Sequence, residues 1–134
     1  MPPGGIHHIG VAVAELDDAV STYERLLGAS VEARETILSQ GAEAVALHVG
    51  NGRVELLAPL EDDTPIGRFL ARRGPGMHHV AYEVEDLRAE LVRLDGEGVQ
   101  LVDREPRPGL YGLQVAFIHP DAVHGVLTEF VTRG

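Results

Sequence analysis

The sequence predicts an α+β fold of two tandem βαβββ modules whose strands form a curved mixed sheet. Three observations predict it. The stretch IHHIGVAV at 6–13 returns as MHHVAYEV at 77–84, so that the His pair 7–8 recurs as 78–79. AVALHV at 44–49 returns as QVAFIH at 114–119, anchored on Val45 and Val115. RVELLAP at 53–59 returns as VLTEFVT at 126–132, which aligns Glu55 with Glu129. Three matches in the same order at similar spacing mark an internal repeat, with the drift in spacing falling in turns.

The elements follow in order. Each His-bearing stretch is an apolar run of strand length. After the first, Leu16, Ala19, Val20, Tyr23, Leu26 and Leu27 recur at helical spacing; after the second, Leu87, Leu91 and Leu94 do the same. Gly28 and Gly96/Gly98 are helix stops. Short strands are expected near 30–38 and 99–103, ahead of the two strands that close each module. Between the modules, Thr64 caps a short helix with Pro65 at its first position. Ile66, Phe69 and Leu70 give that helix an apolar face, and Gly74-Pro75-Gly76 ends it. The expected divisions are a first module at 1–60, a linker with a short helix at 61–76 and a second module at 77–134. At 134 residues these belong to one compact domain.

Composition narrows the chemistry. Apolar residues make up 44% and charged residues 24%, a globular profile. All 11 cations are Arg, and there is no Cys and no Lys. Disulfides, thiolate metal sites, Cys nucleophiles, Schiff bases and a P-loop lysine are therefore excluded. The net charge of −10 argues against nucleic acid and against an anionic membrane surface. The N-terminal stretch lacks the basic region and apolar core of a signal peptide, and no apolar run reaches the roughly 20 residues that span a bilayer. The expected location is cytoplasmic. With 7 His and 21 acids, imidazoles and carboxylates must carry any chemistry.

Alternation along a strand separates the conspicuous residues by face. His8 shares a face with Gly10, Ala12 and Ala14, and His79 shares one with Ala81 and Glu83. Small neighbours beside an imidazole suggest a cavity wall. His7 and His78 fall on the opposite, bulkier face and read as packing residues. Glu55 and Glu129 sit inside apolar strands, where a buried carboxylate needs a partner. Two imidazoles and two carboxylates thus occupy matching places in two repeats. Together His8, Glu55, His79 and Glu129 could hold one divalent cation at the centre of the sheet: Co, Ni, Zn, Mn or Fe(II). His48, His119 and His124 read as structural or rim residues. Arg104 and Arg107, in DREPRPGLYG, are candidates to contact an anionic substrate.

The duplicated pattern with its His/Glu/His/Glu set resembles the vicinal oxygen chelate superfamily, which includes glyoxalase I. Within it the chain is similar to the methylmalonyl-CoA epimerase family. The segments carrying the resemblance are HHIGVAV at 7–13, the block from Leu47 to Val84 and the block from Gly98 to Phe130. The resemblance implies metal ligands at His8, Glu55, His79 and Glu129, a divalent ion that is often cobalt, a homodimer, and an acyl-CoA substrate whose (2R) and (2S) forms are interconverted. Some relatives carry a Glu base where this chain has Ala44. Glu43 is adjacent, but regular alternation sends it to the other face. Glu129 and Glu43 are thus the candidate proton-transfer groups, Glu129 because a ligand carboxylate in the superfamily can leave the metal. The alternatives are a glyoxalase I-like isomerase or lyase acting on a thiol adduct, and a non-catalytic ligand-sequestering protein of the same superfamily.

Overall fold

The structure is a computed structural model that describes residues 3–133. It has the expected α+β fold of two βαβββ modules. Contacts group the chain into two compact units, His8–His78 and Met1–His7 with His79–Gly134. Both boundaries fall inside strands, at the His7–His8 and His78–His79 peptide bonds.

The module based on the first unit contains β1 (Gly5–Ala12), α1 (Leu16–Leu27), β2 (Ser30–Ile37), β3 (Ala42–Val49) and β4 (Gly52–Pro59), followed by α2 (Pro65–Arg73). Its strands lie in the order β2-β3-β4-β1. β1 and β4 are parallel, and the other two pairings are antiparallel. α1 exists because Leu16, Ala19, Val20 and Tyr23 form one apolar stripe, which packs on Val45, Leu47 and Leu56. Asp17 and Asp18 in its first turn and Arg25 in its last complement the helix dipole. Gly28, at φ 62°, ends it by donating its N–H to Glu24 O at 3.1 Å. Leu26 and Leu27, expected on the apolar face, are exposed, because the last turn runs beyond that core cluster.

α2 starts as its sequence requires. Thr64 Oγ1 accepts the N–H of Gly67 at 3.1 Å, and Pro65 takes the first helical position. Ile66 and Phe69 are buried, and Gly74 caps the far end.

The second module contains β5 (Gly76–Glu83), α3 (Leu87–Gly96), β6 (Arg107–Pro108), β7 (Leu113–Ile118) and β8 (Thr128–Arg133), in the order β5-β8-β7-β6. β5 and β8 are parallel, as β1 and β4 are. Asp86 Oδ1 caps α3 by accepting the N–H of Ala89 at 3.1 Å. Leu87 and Leu91, with Leu94 beside them, pack on Ala116, Ile118 and Phe130.

Two expectations change here. No strand forms at 99–103; a single bridge joins Leu101 to Ile118, and the edge strand is the two-residue β6. Pro106 and Pro108 flank Arg107 and cannot donate to a ladder, which keeps this edge short. The repeat alignment on Val45 and Val115 also slips by one residue. Val45 packs with α1, whereas Val115 lies in the cluster of Ala81, Leu113 and Val131 on the opposite face of its module's sheet. Ladder position pairs Ala46 with Phe117 instead: Ala46 lies opposite Glu55, and Phe117 lies opposite Glu129. A slip of one residue in a strand moves every side chain to the other face.

Candidate functional site

Each module builds a buried imidazole–carboxylate pair in the same way. In the first, Glu55 of β4 lies beside Gly10 of the parallel β1. Gly10 is two positions beyond His8, so His8 and Glu55 share a face and lean toward each other. His8 Nε2 is 3.5 Å from Glu55 Oε2, and both residues are buried. In the second, Glu129 of β8 lies beside Ala81 of the parallel β5, two positions beyond His79. His79 Nε2 is 3.8 Å from Glu129 Oε2, and each residue is at most 2% exposed.

Small residues make the room. Gly10 and Ala12 follow His8 on its face, and Ala46 lies opposite Glu55 on β3. Burial pushes the Glu55 carboxyl up to about 7, since the charged form loses its water. A divalent ion reverses that preference. Within the second module, the buried His79 and Glu129 offer an imidazole nitrogen and a carboxylate, donors consistent with a divalent metal ion. Imidazole nitrogens and carboxylate oxygens suit a borderline transition metal, and no thiolate is available to narrow the choice.

The other expected residues fall elsewhere. Glu43 lies on the face of β3 that carries Val45 and Leu47 toward α1. Its carboxylate accepts from Arg34 Nε at 3.0 Å, and Arg34 also bonds Asp17 of α1 at 2.6 Å. Ala44, on the face of Ala46, is fully buried. Arg104 is exposed and pairs with Asp95 at 3.2 Å. Arg107 is partly buried, pairs with Asp103 at 3.1 Å and covers the Phe117 ring at 5.1 Å.

The remaining histidines have other surroundings. His78 packs edge-on against Phe69 at 5.1 Å, and burial lowers its pKa to about 4. His48 faces Glu32 at 3.1 Å, a carboxyl held below its usual range mainly by the Arg53 hydrogen bond. His119 Nδ1 accepts the N–H of Asp121 at 3.1 Å. His124 is an exposed turn residue at φ 54°. Phe117 and Asp103 went unnoticed in the sequence. The signal was an aromatic residue at 117 on the face of Glu129, which only the corrected alignment exposes. No helix among the described residues is long and apolar enough to cross a membrane.

A family model described as Glyoxalase/Bleomycin resistance protein/Dioxygenase superfamily matches residues 7–117. The chain is 40% identical over 124 residues to the uncharacterized protein YqjC of Bacillus subtilis (strain 168), covering 92% of this chain and 89% of that one. It is 36% identical over 128 residues to the ethylmalonyl-CoA/methylmalonyl-CoA epimerase of Cereibacter sphaeroides, covering 94% and 96% respectively. It superposes with a TM-score of 0.96 and 34% identity on a substituted Streptomyces coelicolor methylmalonyl-CoA epimerase in complex with 2-nitronate-propionyl-CoA, covering 99% and 96%. Sequence and architecture together place this chain in the glyoxalase/bleomycin resistance protein/dioxygenase superfamily.

Proposed function

We propose that the protein is a metal-dependent epimerase that interconverts the (2R) and (2S) forms of methylmalonyl-CoA. The observation that carries this reading is the duplicated buried pair, His8 with Glu55 and His79 with Glu129. The similarity to epimerases of malonyl-type CoA esters supports the substrate class. In this reading the four side chains hold one divalent ion, and the chain passes between its two compact units at the residues just ahead of the two imidazole ligands. By family resemblance the ion is cobalt and the protein a cytoplasmic homodimer.

The reaction removes the proton on the carbon between a thioester and a carboxylate and returns one to the opposite face. A bound divalent ion would offset the negative charge that develops on the thioester oxygen. The chain's own residues do the rest. Breaking the C–H bond sends its proton to a carboxylate and its electron pair toward the thioester oxygen. Glu129 is the assigned carboxylate, being buried beside an imidazole in an apolar strand. A proton from solvent then reaches the opposite face as the electron pair returns to carbon, and Glu129 gives the abstracted proton up to solvent, so that the α-proton exchanges. Glu43, held by Arg34 on the face packed with α1, is left a structural role. Arg107, partly exposed beside Phe117, is suited to an anionic portion of the substrate, and Arg104 to one further out.

The test is exchange of the substrate α-proton in deuterated water. The metal-loaded protein should exchange it, and chelation should stop the exchange. A fully loaded protein that exchanges no α-proton from methylmalonyl-CoA overturns the reading.

A further inference from the structure

Phe117 stands directly across the β7–β8 ladder from Glu129. Its ring meets the His79 imidazole edge to face, with centroids 5.5 Å apart and planes at 89°. The ring is itself held in place. The Arg107 guanidinium lies over it, 5.1 Å from the centroid. Arg107 Nε and Nη2 each lie 3.1 Å from Asp103 Oδ2. The same oxygen accepts the Phe117 N–H at 2.8 Å. Asp103 therefore ties the main chain of Phe117 to the cation that covers its side chain. Register supports the arrangement, since Arg107 lies opposite Val115 and so shares a face with Phe117 two residues on. The first module differs: the residue opposite Glu55 is Ala46, which has no ring to offer.

We infer that Phe117 is a positioning residue for His79 and that Asp103 and Arg107 lock Phe117 for that task; this rests on the reading of His79 as a metal ligand. An imidazole turns about two side-chain torsions, and an ion selects one orientation from them. A ring packed against the imidazole makes that selection beforehand, so less freedom is lost on binding. Partners behind a metal ligand commonly act in this way, although they usually do so by hydrogen bonding. Here an aromatic ring takes that place, and a salt bridge fixes the aromatic.

The test is titration of Co²⁺ into metal-free, full-length protein, followed by visible absorption, with thermal melting of each metal-free variant. Phe117→Leu should weaken Co²⁺ binding by about tenfold or more and shift the absorption bands. Phe117→Tyr should restore both. Arg107→Gln alters a partly exposed side chain, so it should melt near the wild type and lose affinity in the same direction by a smaller factor. It decides the matter if Phe117→Leu does not fold. Wild-type affinity and bands in Arg107→Gln, or in a folded Phe117→Leu, overturn the inference while leaving the metal reading intact. Wild-type protein that takes up no Co²⁺ overturns the metal reading, and this inference with it.

Discussion

Glu55 lies on the parallel strand beside β1, opposite the residue two positions beyond His8, and its carboxylate comes within 3.5 Å of that imidazole. Buried there, the carboxyl is raised from 4.5 to about 7. As pH climbs through that window, the unfolded chain releases a proton that the folded, metal-free protein keeps, so stability falls; above about 7 the cost is constant. Metal-free protein should therefore melt lower at pH 8 than at pH 5 by more than Glu55→Gln does. A divalent ion should raise the melting temperature more at pH 8 than at pH 6, because it binds the ionised carboxylate. Parallel melting curves for the two proteins across this range count against the assignment.

Glu129→Gln keeps the shape of a buried side chain but removes the proton acceptor. Loss of a general base typically costs about 10²–10⁴ in rate. Exchange of the substrate α-proton should drop by at least about 10² while the protein stays folded. His79→Ala should lower metal content and exchange together. Because Glu129 is also one of the four proposed ligands, the exchange rate of its variant is taken per bound metal ion, which isolates its proton-transfer role, and full activity in either variant defeats the roles given to these residues.

His78 carries the opposite sign to Glu55. Burial against Phe69 lowers its pKa from 6.5 to about 4. As pH falls from 6.5 toward 4, the unfolded chain binds a proton that the folded chain refuses, so stability declines with acid. His78→Phe should remove that part of the acid sensitivity. Melting temperatures at pH 7 and pH 5 measure it, and an unchanged difference between the two pH values contradicts the burial argument.

The start of α2 offers a test of backbone packing. A Cβ at Gly67 would lie 2.3 Å from Asp62 O, a main-chain atom that cannot rotate away. Gly67→Ala should cost about 1–3 kcal/mol, as overpacking does. Thr64→Ala loses the cap to the Gly67 N–H and should cost about 1 kcal/mol. Urea unfolding measures both, and a Gly67→Ala protein as stable as the wild type refutes the close approach.

The duplication and the two imidazole–carboxylate pairs were legible because period-two alternation is a strict rule. Once HH is seen on both β1 and β5, His8 and His79 must share faces with Gly10 and Ala81, and the structure keeps them there. The β3–β7 correspondence was less legible. Valine suits either face of a strand, so Val45 and Val115 gave a convincing match in the wrong phase. The true partners, Ala46 and Phe117, share no chemistry that a sequence comparison would reward. The strand expected at 99–103 failed for another reason. Val102 and Asp103 both donate their N–H groups to Phe117 O, and the Asp103 carboxylate takes the Phe117 N–H, so side-chain bonding replaces the ladder. Alternation carries no signal for such a substitution.

Ala46 and Phe117 occupy one lattice point in two copies of the same frame. A duplicated scaffold need not spend both copies on the same purpose. The half bearing Phe117 can be made stiff, while the half bearing Ala46 stays free of bulk next to its carboxylate. Rigidity and clearance, which conflict at any single position, become separately adjustable once each has its own copy to change.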